Sequence, residues 1–295
     1  MISRRLFCSL PAAAVASAAQ NWEERLAVMC QLGSSEANAR KVLDAAREAG
    51  FRRVMVNFAW DRVDDAFLSG LPGWLRAAGL RSEALGAYVN CAAPDQVLMS
   101  TRARDFARAI VYAAGLGCRR LVAWTGSHTA ELMKADARNF TRESEDAIVR
   151  FLEPYYERLE QNRLTLALET YVTLVCPDAR ALRRVLDRLP RTVTAVMDPP
   201  NLTAPARFPQ RDEALREMFR ALEGRVGVVH LKDFRLAADG QTYELPGPLA
   251  GAMNYRLYAE LIRTLPADVP VVAEHIGPEE FASTRRKLLA IFNAR

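Results

Sequence analysis

One texture recurs eight times along this chain of 295 residues. A short run of β-branched and other apolar residues comes first, then a longer stretch with apolar side chains at helical spacing. The short runs cover 27–32, 53–58, 82–89, 120–124, 164–169, 193–197, 226–231 and 269–274. The helical stretches cover 34–49, 62–78, 101–114, 141–161, 177–189, 211–222, 254–265 and 278–292. Ser34-Ser35-Glu36 opens the first helix and Gly50 ends it, Gly115 ends the third, and Pro177 stands at the first position of the fifth. The second is interrupted by Gly70, Pro72 and Gly73. Parallel strands need crossover connections, and no linker-like segment separates the eight units. The pattern predicts an α/β fold, a single-domain (β/α)8 TIM barrel over residues 20–295. An open doubly wound sheet would want G-x-G-x-x-G after its first strand, and Gly33-Ser34-Ser35 does not supply it.

Residues 1–19 stand apart from this texture. Ser3-Arg4-Arg5-Leu6-Phe7 fits the twin-arginine export pattern, a short apolar stretch runs from Leu10 to Ala16, and Ala16-Ser17-Ala18 offers a small-residue cleavage site. The apolar stretch is far shorter than the roughly 18 residues of a membrane span. The expectation is a cleaved signal peptide, with a periplasmic or extracellular mature protein and no membrane span. Because the twin-arginine route carries folded proteins, a metal could be loaded before export.

The formal charge is +5, from 40 basic and 35 acidic residues, and losing Arg4 and Arg5 lowers it by two, to +3. The arginines are interleaved with Glu and Asp along the helices, as in 183–191 and 211–225, so the excess reads as solvated helix faces and not as a nucleic-acid surface. Cys30, Cys91, Cys118 and Cys176 are widely spaced, without a C-x-x-C pair or zinc-finger spacing, and read as small apolar fillers. Disulfides among them cannot be assigned from sequence.

A barrel builds its active site where strands end. The fifth run ends on Glu169, the sixth on Asp198, the seventh near His230 and the eighth on Glu274, each directly after apolar residues. Burying a carboxylate against a packed core is costly without a compensating cation or strong hydrogen bonds. Four such residues at successive strand ends point to one shared partner, a single divalent metal ion. Three carboxylates and one imidazole suit Mn²⁺, Mg²⁺, Co²⁺ or Zn²⁺. Open coordination positions would accept adjacent oxygens of a sugar or polyol.

On these residues the chain resembles the xylose-isomerase-like TIM-barrel superfamily, which includes sugar phosphate isomerases and epimerases. The likeness rests on Leu168-Glu169, Asp198-Pro199-Pro200-Asn201, Val229-His230-Leu231-Lys232-Asp233 and Ala273-Glu274, and on the segment 245–251 followed by Asn254-Tyr255. It implies that Glu169 and Glu274 are both ligands and acid/base groups. One carboxylate would take a proton from carbon beside a carbonyl and the other return it, through an enediolate. That is isomerisation or epimerisation of a sugar, keto-sugar or polyol. Loss of a β-hydroxyl from the same species would make the enzyme a lyase or dehydratase of inosose-like or 3-keto-glycoside substrates. A non-catalytic sugar-binding barrel is a third class, though binding alone does not call for two opposed carboxylates. Where epimerases of the group often carry histidine, this chain has Asn201, which cannot titrate. Endonuclease IV, a DNA-repair relative, surrounds three zinc ions with many histidines, whereas this chain holds only His128, His230 and His275.

Further substrate-binding candidates follow from position. Lys232, one of four lysines, stands at a strand end beside Asp233, which could orient a metal-bound group. Trp60, Trp124 and Tyr171 follow the second, fourth and fifth runs, where aromatic faces suit sugar C–H faces. His128 follows the fourth run, Asn201 can hydrogen-bond a hydroxyl, and Asn57 and Asn90 end the second and third runs. His275, if the strand continued through it, would point away from Glu274. No arginine cluster marks the later strand ends, so a phosphorylated substrate is not demanded. Oligomeric state is left open.

Overall fold

Side-chain alternation decides what faces the barrel axis. In the computed structural model, which describes residues 21–98 and 102–294, the strands are β1 (Leu26–Gln31), β2 (Arg53–Asn57), β3 (Arg81–Asn90), β4 (Arg120–Trp124), β5 (Thr165–Glu169), β6 (Val193–Met197) and β7 (Val226–Leu231), then a two-stranded hairpin of β8 (Arg235–Leu236) and β9 (Tyr243–Glu244), and finally β10 (Val271–Ala273). All but the hairpin pair in parallel and close into one eight-stranded barrel, in which β10 joins β7 to β1. The expected single-domain (β/α)8 architecture is therefore the observed one.

The helices are α1 (Trp22–Arg25), α2 (Glu36–Glu48), α3 (Asp65–Ala77), α4 (Ala103–Gly115), α5 (Arg142–Leu152), α6 (Tyr156–Gln161), α7 (Ala179–Leu186), α8 (Pro199–Leu202), α9 (Arg211–Ala221), α10 (Tyr255–Ile262) and α11 (Phe281–Asn293). Residues such as Val28, Cys30, Val54, Val56, Leu121 and Leu168 fill the layer between strands and helices. Their neighbours Ala27, Met29, Met55, Ala84, Val122, Ala167, Val196, Val228 and Val272 fill the interior. A period of two therefore carries the inward face onward to Asn57, Trp124, Glu169, Asp198, His230 and Glu274. Four of these six are charged or titratable, and all are buried.

Several boundaries differ from the sequence pattern for local reasons. Pro177 precedes α7 instead of opening it, because Asp178 is the cap: its side chain accepts from Arg180 N at 2.8 Å and Ala181 N at 2.9 Å. The expected helix 141–161 is two helices divided by a 3₁₀ turn at Glu153–Tyr155, where Pro154 lacks an N–H to continue the ladder. Gly115 stays helical, and the stop is Gly117 at φ 72°, which lets Cys118 N reach back to Ala113 O at 3.0 Å. Helix α1, before the first strand, places Trp22 on Phe292 with ring centroids 4.6 Å apart, and Arg25 donates to Val269 O at 2.9 Å. The four described cysteines are free and buried, as fillers would be. The expected signal at 1–19 lies outside the described residues, and among the described residues no helix is long and apolar enough to cross a membrane.

Candidate metal centre

Glu169, Asp198, His230 and Glu274 come together on the axis at the C-terminal ends of β5, β6, β7 and β10. One ligand atom from each lies within 4.8 Å of all the others. Metal–ligand bonds of about 2.0–2.6 Å put two donors on one ion no more than about 5 Å apart, so the four fit a single ion. His230 Nδ1 stands 3.3 Å from Glu274 Oε2, 3.6 Å from Glu169 Oε1 and 3.7 Å from Asp198 Oδ2. Both ring nitrogens of His230 and Asp198 Oδ1 are buried without a hydrogen-bond partner. Unsatisfied polar atoms at this depth are costly, and a cation would accept lone pairs from one ring nitrogen and from the carboxylate oxygens at once. These residues can hold a divalent metal, and the oxygen-rich donor set with one imidazole does not choose among Mg²⁺, Mn²⁺, Co²⁺ and Zn²⁺.

Lys232 follows His230 by two residues and therefore faces the same interior. Its ammonium lies 2.7 Å from Asp198 Oδ2 and 3.0 Å from Glu274 Oε1. Burial opposes its charge, but Asp198, Glu274 and Glu169 outweigh that and raise its pKa. In return, although burial works the other way, the Lys232 ammonium and His230 lower the Asp198 carboxyl to about 2. For His230, burial is again opposed by Glu274 and Glu169, which raise the ring's pKa well above its usual value.

The supports beneath this layer come from α8 and α10. Pro199 and Pro200 start a single helical turn directly after Asp198, and this turn brings Asn201 Nδ2 to donate to Glu169 Oε1 at 3.0 Å. Tyr258 O–H donates to Met197 O at 3.1 Å and His230 O at 3.0 Å, tying β6 to β7 just below the ligands. Tyr255 O–H donates to Lys232 O at 3.0 Å. Asp233 was expected to orient a metal-bound group, but its Oδ1 instead accepts from Phe234 N and Met253 N at 2.8 and 2.9 Å. It fastens the loop after β7.

Above the quartet opens a cavity of 510 Å³ walled by Met29, Gln31, Asn57, Tyr88, Trp124, Leu132, Met133, Glu169, Tyr171, Asn201, Lys232, Leu245, Glu274, His275, Ile276 and Gly277. A larger cavity of 770 Å³ lies at the opposite end of the barrel, where strands begin, and there Arg120 already faces Glu83 and Asp268. The smaller one is the cavity that Glu169, Lys232 and Glu274 line. Trp124, Tyr171, Asn201 and Lys232 reach it as expected. Two expected residues do not. Trp60 is buried against Phe58, and its indole N–H donates to Gly86 O at 2.8 Å, since its 3₁₀ turn folds it under the loop. His128 turns to α5, where Nε2 meets Ser144 Oγ at 2.7 Å. Asn90 is likewise structural, bonding Ser127 N and O.

Other residues at the mouth were not foreseen. Tyr88 lies inside β3, two residues before the strand end, and its ring stands 5.1 Å from Trp124; burial and then the charge of Glu169 raise its phenol pKa well above the usual value. It is not a strand-end residue, although the alternation through Ala84 and Gly86 places it inward. His275 was expected to turn away, yet β10 stops at Ala273 and a φ of 57° swings the ring to the mouth. Its Nδ1 meets Leu245 O at 2.8 Å. Gln31 and Met29 of β1 complete the wall.

The family model described as a xylose isomerase-like TIM barrel matches residues 43–291. Among solved structures, a xylose isomerase-like TIM barrel protein from Mycobacterium smegmatis in complex with magnesium is 17% identical, over 88% of this chain and 89% of that one, with a TM-score of 0.64. The 3-keto-D-glucoside 4-epimerase of E. coli is 14% identical over 91% and 98%, with a TM-score of 0.62. The probable 3-DHS dehydratase of Bacillus anthracis is 13% identical over 92% and 99%, with a TM-score of 0.63. At such identities the likeness carries the fold. No curated protein sequence matches the chain.

Proposed function

Because the chain belongs to the xylose isomerase-like TIM-barrel family, we propose that it is a divalent-metal-dependent isomerase or epimerase of a sugar, keto-sugar or polyol. The observation that carries this reading is the quartet itself, in which Glu169 on β5 and Glu274 after β10 reach one candidate ion position from strands separated by β6 and β7, and both line the cavity. A bound divalent ion would supply the charge that polarises a substrate carbonyl and acidifies the neighbouring C–H. Glu169 takes that proton. Asn201 holds its Oε1 in place, which fixes the approach of the other oxygen. Glu274, anchored by Lys232 through Oε1, returns the proton to the neighbouring carbon or the other face. Tyr88, Trp124 and Tyr171 present rings to the C–H surfaces of the substrate and keep water away. Elimination of a β-substituent shares the first step, so the dehydratase outcome differs only in what leaves. We place the mature enzyme outside the cytoplasm on the strength of the twin-arginine pattern in residues 1–19, a placement that cell fractionation tests.

Two measurements test the activity. Metal analysis of the purified protein should find a divalent ion or, after stripping, stoichiometric Mn²⁺ uptake. A protein that neither contains metal nor binds Mn²⁺ sinks the reading. A panel of ketoses and keto-sugars in D₂O should then show exchange at a carbon beside the carbonyl by NMR. Exchange with a new isomer supports the isomerase. Exchange with loss of water or an aglycone shifts the assignment to the lyase, and binding without exchange leaves a sugar-binding barrel.

A further inference from the structure

The cavity has two ends of different chemistry. On the wall formed by β1 and β2 stand two neutral amides, Asn57 and the exposed Gln31. Asn57 is only 8% exposed and lines the cavity, and among the described residues its amide has no hydrogen-bond partner. Gln31 Nε2 meets only Met29 Sδ, at 3.4 Å. Amide donors and acceptors on a cavity wall without a strong protein partner are free to pair with a ligand's hydroxyls. Neither β1 nor β2 brings a charged side chain to that wall.

At the rim the chemistry turns apolar. Leu132 and Leu245 pack on the cluster that contains Trp124 and Tyr171, and Ile276 and Met133 extend the same wall. Met133 is 54% exposed, one of few large hydrophobic side chains left so open among the described residues. The wall contains no arginine among those residues, and the Lys232 ammonium is taken by Asp198 and Glu274. A phosphate at the rim would therefore lose its hydration without gaining a cation. The volume, 510 Å³, falls in the class of about 300–1,000 Å³ that encloses drug-sized ligands.

We propose that the substrate is a neutral keto-glycoside whose ring carbonyl faces the quartet: Gln31 and Asn57 bind hydroxyls of its sugar ring, and Leu132, Met133, Leu245 and Ile276 seat an apolar aglycone. This rests on the sugar reading above and narrows it. The ring spans from the quartet to the amides, and the aglycone points outward to the rim, where it covers Met133.

Equilibrium binding to the full chain supplemented with Mn²⁺ tests this, with Mn²⁺ uptake measured on the same samples. The probes are unreactive analogues, the methyl and phenyl members of three pairs, β-D-glucopyranoside, β-D-galactopyranoside and α-D-mannopyranoside, together with glucose and glucose 6-phosphate. In at least one pair the phenyl member should bind about tenfold more tightly, and glucose 6-phosphate should bind no better than glucose. Met133→Ala should narrow the phenyl-to-methyl ratio, whereas Asn57→Ala should weaken both members and keep the ratio, with circular dichroism confirming the fold of each. Equal affinities within every pair, tightest binding of the phosphate, or no glycoside binding by a protein that takes up Mn²⁺ overturns the proposal and leaves the metal reading standing. A protein that takes up neither Mn²⁺ nor any probe brings down both.

Discussion

The two halves of the barrel mouth are built from opposite materials. β5, β6, β7 and β10 deliver Glu169, Asp198, His230, Lys232 and Glu274, all titratable, all buried and all within one electrostatic network. β1 to β4 deliver Met29, Gln31, Asn57, Tyr88 and Trp124 to the same cavity, which are amides, aromatics and a thioether without formal charge. Both halves use the same strand geometry and the same period of two. The difference teaches that the later half gathers the groups able to hold a cation or a proton, while the earlier half offers neutral hydrogen-bonding groups and apolar surface.

Four substitutions break or sharpen this division. The largest effect belongs to Glu169→Gln, which keeps the shape and the Asn201 contact but removes the base. Deuterium exchange should fall by about 10²–10⁴ with the thermal transition little moved. Exchange that survives would remove Glu169 from the chemistry. Next comes Lys232→Met, which leaves Asp198 and Glu274 buried with no ammonium between them. The metal-free protein should lose about 3–5 kcal/mol in urea unfolding, and Mn²⁺ should recover part of it by supplying positive charge at the same carboxylates. An unchanged metal-free midpoint would show that Lys232 is not what compensates them.

Gly86→Ala tests the neutral half. A Cβ there would overlap Asn57 Oδ1, so the amide must turn from its present position. Stability should drop by about 1–3 kcal/mol, and sugar affinity should weaken while Mn²⁺ uptake stays the same. Loss of Mn²⁺ binding instead would mean that the halves are not separable. The smallest effect is expected for His128→Ala. His128 bonds Ser144 outside the cavity, so only about 0.5–1.5 kcal/mol of stability should be lost, and exchange should stay within about twofold. A large fall in exchange would return His128 to the mouth.

The charged half was legible because burying charge is costly. Glu169, Asp198, His230 and Glu274 each interrupt an apolar run, and polar residues in such places need a shared reason. The neutral half gave weaker signals. Tyr88 is chemically ordinary within a strand, and Gln31 is an ordinary amide at a strand end. Trp60 and His128 stand in the expected loops after β2 and β4, yet each side chain finds a better partner elsewhere, Gly86 O in one case and Ser144 Oγ in the other. Loop residues follow no period, so their direction is not written in their spacing.

By itself, the sequence determined the eightfold alternation, hence the barrel, and the four residues with no apolar alternative at its strand ends. Periodicity and the cost of burying charge are local properties, so they can be read in one dimension. Only the tertiary structure decided which partners those residues meet. Closure brings Lys232 between Asp198 and Glu274, the turn after Asp198 lays Asn201 on Glu169, and a positive φ at His275 swings its ring to the rim. These are contacts between strand ends and loops far apart in the chain, and they depend on distances that exist only once the barrel closes.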